Sequence, residues 1–105
     1  MAPSSGGAYR VVYSEAVRER LRQLGEKARQ AGLIERYAEA LRVIEERLAN
    51  RPLEWGDPLY SFPQLKLLIC RGLYWVFAVE YAVHEGQRVV FLREYRLLPR
   101  NPLEP

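Results

Sequence analysis

After Pro52 the hydrophobic period of this chain changes, and that change constrains its fold more than any other feature. Before it, apolar residues recur every three or four positions. Val17, Leu21, Leu24, Ala28 and Ala31 make one stripe, and Ile34, Tyr37, Leu41, Ile44 and Leu48 make a second, with Ala38 beside it. Such spacing puts each set on one face of an amphipathic helix. After it, "QLKLLIC" (64–70), "GLYWVFAVEYAV" (72–83) and "RVVFLREYRLL" (88–98) are apolar and β-branched or aromatic with period two, which is strand patterning.

The signals at the element ends agree. "AYRVVY" (8–13) is a short first strand. Ser14 then suits a helix N-cap, and Glu15 sits where the helix dipole favours an acid. Gly25 inside the helix costs roughly 1 kcal/mol against alanine, and Gly32 ends it as a C-terminal glycine does. Asn50 and Pro52 stop the second helix. Two helices joined by so short a turn fold back on each other, giving a hairpin over about 14–50. "RPLEWGDP" (51–58) reads as a loop, "HEGQ" as a tight hairpin turn at Glu85-Gly86, and the Pro-rich tail 99–105 cannot extend a sheet. The expected fold is α+β in the order β-α-α-β-β-β, a helical hairpin packed on one face of a mostly antiparallel sheet whose central strand is 73–83.

One domain fits 105 residues, with 1–7 as a flexible leader. No apolar run is long enough to span a membrane. "MAPSSGGA" is no secretory signal, and a cytoplasmic location is expected. A single cysteine, Cys70, and a single histidine, His84, leave no zinc-type cluster and no intramolecular disulfide, so neither metal nor cofactor is expected. Cys70 reads as a small buried apolar group and His84 as an exposed turn residue. The net charge of +3 permits nucleic-acid contact without arguing for it. From Glu15 to Arg51 nine basic residues face seven acidic ones, the balance of a solvated helix surface.

Period two sorts the long strand. Leu73, Trp75, Phe77, Val79, Tyr81 and Val83 form the bulkier, uncharged face and are expected against the helices, with Trp75, Phe77 and Val79 meeting Val17, Leu21, Leu41 and Ile44. Tyr74, Val76, Ala78, Glu80 and Ala82 face the other way. A two-residue turn at Glu85-Gly86 would set Arg93 beside Ala78, Tyr95 beside Val76 and Arg96 beside Trp75, where it could stack on the ring. Arg93, Tyr95, Tyr74 and Glu80 would then share the helix-free face, either as a partner surface or as a plain Arg93–Glu80 cross-strand pair.

The element order resembles the RelE/ParE superfamily of bacterial toxin–antitoxin systems over about residues 8–98. "IERYAEALRVIEERLANRPLEWGDPLY" (34–60) is similar to that family's second helix and following loop. "GLYWVFAVEY" (72–81) resembles its G-x-Y strand, and "RVVFLREYR" (88–96) its last core strand with a basic pair. The resemblance implies a toxin neutralised by a cognate antitoxin, of the plasmid stabilisation type. It offers two activities: RelE-like members cleave messenger RNA in the ribosome, and ParE-like members bind DNA gyrase without a catalytic set. The chain departs from the nuclease pattern. Tyr74 or Trp75 stands where a catalytic arginine is expected, Lys66 and Arg71 replace a denser basic set, and Leu97, Leu98 and Pro99 follow Arg96. If the chain is an enzyme, it is a metal-independent endoribonuclease with Arg93, Tyr95 and Arg96 as catalytic candidates and Tyr95 as proton donor. The expectation is the ParE-like, protein-binding side, with Lys66, Arg71, Tyr74, Glu80, Arg93, Tyr95 and Arg96 as the partner surface. A degenerate, non-toxic member of the family is the further alternative.

Overall fold

The computed structural model describes residues 8–104, so the expected leader 1–7 lies outside the described residues. The chain runs β1 (Arg10–Tyr13), α1 (Glu15–Gln30), α2 (Ile34–Asn50), a single turn α3 (Pro52–Trp55), β2 (Asp57–Phe62), β3 (Leu67–Tyr74), β4 (Phe77–His84) and β5 (Val89–Leu97). The five strands form one sheet in the order β1-β5-β4-β3-β2. β1 runs parallel to β5 and every other pairing is antiparallel. This is the expected α+β class, with the helical hairpin against a mostly antiparallel sheet.

Local chemistry sets the helix ends. Ser14 accepts a hydrogen bond from the Val17 N–H through its side chain, at 3.1 Å, and so closes the first turn of α1. Gly32 takes a positive φ of 74° just beyond the helix, a conformation that costs a glycine little. The two stripes then meet the sheet. Val17, Leu24, Ala28, Tyr37, Ala40, Ile44 and Leu48 are buried in one cluster with Phe77, Val79, Tyr81 and Val83. Leu21, Leu41 and Trp75 pack on its margin, so the expected helix–sheet core is present. Ala31 and Ile34, expected in the stripes, are exposed, because they stand at the end of α1 and the first position of α2. On the outer faces, Arg22 pairs with Glu19, Arg29 with Glu26 and Arg36 with Glu39 at i,i+3 spacing, the solvated surface the charge balance implies.

Four boundaries differ from the sequence reading. The expected loop 51–58 contains α3 and runs into a strand. The expected strand 64–70 is interrupted by a 3₁₀ turn over Pro63–Leu65 and by Lys66 at φ 57°. β2 carries Pro58 and has no buried residue, and both features follow from its place at the sheet edge, where proline need not donate to a ladder. The expected single strand 72–83 is two strands. Tyr74 pairs with Phe77, so Trp75 and Val76 form a two-residue hairpin turn, with Trp75 at φ 55°. β4 remains the central strand. The Glu85-Gly86 turn is a four-residue loop, Glu85–Arg88, closed by pairing of His84 with Val89, and its positive φ of 57° falls at Arg88 rather than Gly86. His84 accepts the Gln87 N–H at its Nδ1, at 3.0 Å, and thereby braces this loop.

The Pro-rich tail folds back instead of extending the sheet. The Asn101 side chain donates to the Leu98 carbonyl and accepts from the Leu103 and Glu104 N–H groups. Leu103 is buried in the core, and Glu104 reaches Lys27 of α1 at 3.1 Å.

Tyrosines tie the layers together and give the fold a pH limit. The Tyr37 hydroxyl donates to the Leu21 carbonyl at 2.5 Å, linking α2 to α1, and burial pushes its pKa up to about 12. Tyr13, Tyr81 and Tyr95 are raised as well, each chiefly by burial. An unfolded tyrosine ionises near pH 10, and these phenols are neutral in the fold. A raised folded pKa contributes stability that is complete below pH 10 and is lost as pH rises towards the folded value. For Tyr37 alone the loss is about 2–3 kcal/mol. Denaturant midpoints should hold near pH 9 and fall steeply between pH 10 and 12, and Tyr37→Phe should flatten part of that fall. A midpoint unchanged through pH 12 would contradict this account.

Candidate functional site

The helix-free face of the sheet is assembled from four strands. Arg71 of β3 lies opposite Glu80 of β4, and their side chains approach to 3.8 Å. Arg93 of β5 reaches the other Glu80 oxygen at 3.4 Å. Arg93 also donates to the Tyr60 hydroxyl of β2 at 3.3 Å. Strands β4 and β3 separate these two residues, so the contact crosses about 14 Å of sheet at the usual strand spacing. Glu80 is thus shared by two arginines, and Arg93 ties it to the far edge. The expected cross-strand Arg93–Glu80 pair is present as part of a larger network.

Around it lie apolar side chains open to water. Tyr60 and Phe62 meet edge to face with ring centres 5.3 Å apart. They are 46% and 41% exposed, and Leu73 and Phe91 are also exposed. Ile69, Ala78 and Ala82 form a buried floor between them.

A β-bulge decides which β5 residues belong to this face. The four-residue loop changes the expected register by two positions and keeps every side chain on its side. Between Glu80 and Tyr81 the register shifts once more, because Arg93 is an extra residue without a partner. From Glu94 onward the faces are therefore inverted relative to the sequence reading. Tyr95 lies opposite Val79 and not Val76, 3% exposed, with its ring edge to face against Phe77 at 5.4 Å. Arg96 lies opposite Ala78 on the helix-free face and not beside Trp75.

The Trp75 turn makes a similar exchange. Beyond it Leu73 faces outward, opposite Ala78, while Tyr74 lies on the helix side, opposite Phe77. Tyr74 there stacks with Arg36 and Arg47, at 5.6 and 5.1 Å, and Trp75 stacks with Arg36 at 4.9 Å. The arginine on Trp75 is thus Arg36 of α2, not Arg96.

Of the seven expected partner residues, the structure brings Arg71, Glu80, Arg93 and Arg96 to one face. Tyr74 and Tyr95 belong to the helix side, and Lys66 sits in the turn before β3. Sequence reasoning missed Tyr60, Phe62, Leu73 and Phe91. Tyr60 and Phe62 stood where no strand was expected, and their i,i+2 spacing was the available signal. Cys70 is buried opposite Tyr81, and burial raises its thiol pKa, as befits a small core group.

The chain has no match among protein-family models, curated proteins or solved structures. Among the described residues no helix is long and apolar enough to cross a membrane.

Proposed function

We propose that this protein is a toxin-like module of the RelE/ParE kind that acts by binding a protein, with DNA gyrase as target and a cognate antitoxin as neutralising partner. The observation that carries this reading is the composition of the helix-free face. Exposed Tyr60, Phe62, Leu73 and Phe91 surround the Arg71–Glu80–Arg93 network, and Arg96 stands beside it. Aromatic and arginine side chains over a buried apolar floor are what protein interfaces enrich. RNA cleavage needs a base, a charge stabiliser and an acid converging on one phosphate. Tyr95, the expected acid, is turned into the core, and burial raises its pKa further from neutrality.

The edge of β5 supports the antitoxin half of the proposal. β1 pairs with β5 only as far as Leu92, and among the described residues no strand lies beside 93–97 on that side. Arg20 of α1 donates there to the Tyr95 carbonyl at 3.2 Å. An extended acidic segment can add along this edge, its carboxylates met by Arg20, Arg93 and Arg96.

Tightly controlled expression should arrest growth with filamentation and DNA-damage signalling. Purified protein should inhibit gyrase supercoiling and leave messenger intact on programmed ribosomes. Arg93→Ala and Phe62→Asp should each weaken gyrase inhibition about tenfold or more, the usual scale for a central contact. Messenger cleavage that disappears in Arg93→Ala would restore the nuclease. Neither growth arrest nor gyrase inhibition would make the chain a non-toxic relative.

A further inference from the structure

The opposite, helix-bearing side of the sheet holds a cleft of about 480 Å³ between α1, α2, β1 and β5. Leu21 and Leu41 line it with apolar surface. Tyr13, Glu45 and Tyr95 converge on it, and Arg42 and Glu46 complete its lining. The volume is within the range of small-molecule sites, and an apolar lining with a few convergent polar groups is their usual construction.

The polar groups are not all satisfied from within the protein. Tyr13, Tyr37 and Tyr81 each hydrogen-bond a protein oxygen through the hydroxyl. The Tyr95 hydroxyl makes no such bond among the described residues, and it opens on the cleft rather than lying sealed without a partner. Glu45 accepts the Tyr13 hydroxyl at one oxygen, Oε1, at 2.6 Å. Its second oxygen remains an acceptor. Two glutamates against one arginine give the cleft one excess negative charge.

We propose that this cleft binds a small organic amine. The apolar body rests on Leu21 and Leu41, and the ammonium lies between the Glu45 carboxylate and the Tyr95 oxygen. An ammonium has donors and no acceptor, which complements a carboxylate and a phenol oxygen. The field is consistent with this: Glu45 contributes to raising the pKa of both Tyr13 and Tyr95. A carboxylate ligand would meet Glu45 and Glu46. A purely apolar ligand would strip water from Glu45 and Tyr95 and return no hydrogen bond.

The test uses the full chain and three probes of similar shape: phenethylamine, 2-phenylethanol and 3-phenylpropanoate. Binding is followed by calorimetry and by backbone amide NMR. Phenethylamine should bind about tenfold or more tighter than the alcohol, and the acid should not bind, as expected for a charge-assisted site. Amide shifts should concentrate at residues 13, 21, 41, 45 and 95. Glu45→Gln should cost about tenfold and Tyr95→Phe about threefold, the scale of losing a charged and a neutral hydrogen bond. Leu41→Trp should fill the cleft and abolish binding, and Glu26→Gln, on the exposed outer face of α1, should change nothing. The NMR spectrum reports whether each variant is folded, and Tyr95→Phe and Glu45→Gln each keep the shape of the side chain they replace. No binding of phenethylamine up to ~10 mM, weaker than any useful site, overturns the proposal. So does equal affinity for all three probes, or indifference to both Glu45→Gln and Tyr95→Phe.

Discussion

Phe77→Ala is expected to destabilise the protein by about 3–5 kcal/mol, the usual cost of deleting a buried phenyl ring together with the cavity it leaves. Phe77 opens the central strand and has no exposed surface. Its ring meets three others edge to face: Tyr37 of α2 at 6.0 Å, Trp75 in the preceding turn at 5.7 Å and Tyr95 of β5 at 5.4 Å. Each such pair adds about 0.5–1.5 kcal/mol beyond the area it buries. One truncation therefore loosens the helix layer, the β3–β4 turn and the last strand together. A domain has roughly 5–15 kcal/mol in all, so this variant should unfold at a much lower denaturant concentration. Phe77→Leu, which keeps most of the volume, should lose less than half as much. Equilibrium denaturation at neutral pH measures both. A loss below about 1 kcal/mol for the alanine variant would mean that the surrounding rings collapse into the gap and that Phe77 does not anchor the core.

The helical hairpin was legible because its signals are redundant. Ser14 and Gly32 bound the first stripe, and Asn50 and Pro52 close the second. An error at one position would not have moved the helices. The sheet was legible in its central strand, where Phe77, Val79, Tyr81 and Val83 alternate with Ala78, Glu80 and Ala82. It was not legible where a single backbone conformation overrides the pattern. The turn at Trp75 and Val76 carries no glycine, proline or asparagine, so the sequence "LYWVFA" reads straight through it. The bulge at Arg93 has no residue signature either, and it moves Tyr95 from the surface to the core. β2 lacks alternation because all six of its residues are exposed, and Pro58 argues against a strand unless the strand is known to be an edge. The candidate face depends on all three of these features. That is why its charged members, read from the central strands, were found and its aromatic rim was not. The amine cleft depends on α1, α2 and β5 meeting, which no local pattern encodes.

The edge strand that carries Tyr60 and Phe62 is held in place from beneath, and cutting that hold should have the second large effect. Tyr81 of the central strand is fully buried. Its hydroxyl donates to the Pro52 carbonyl at 2.5 Å and accepts the Gly56 N–H at 3.0 Å, so one phenol clasps both ends of α3. Trp55 stacks on the Tyr81 ring at 5.8 Å with planes 7° apart. Its indole also lies so close to Gly72 that a Cβ there would come within 2.7 Å of the ring. Tyr81→Phe keeps the ring and the stack but leaves a buried N–H and a buried carbonyl without partners. At about 1–3 kcal/mol each, the loss should be about 2–6 kcal/mol. It should be local before it is global. Amide exchange should accelerate first across 52–62, because among the described residues β2 has no strand on its outer side to retain it. The Arg93–Tyr60 contact should weaken with it, so the gyrase inhibition proposed above should fall although no surface residue has changed. Denaturation, hydrogen exchange and the supercoiling assay on this one variant read the three consequences. A loss under about 1 kcal/mol with unchanged exchange across 52–62 would show that the Trp55 stack and the β2–β3 ladder hold α3 and β2 without the phenol.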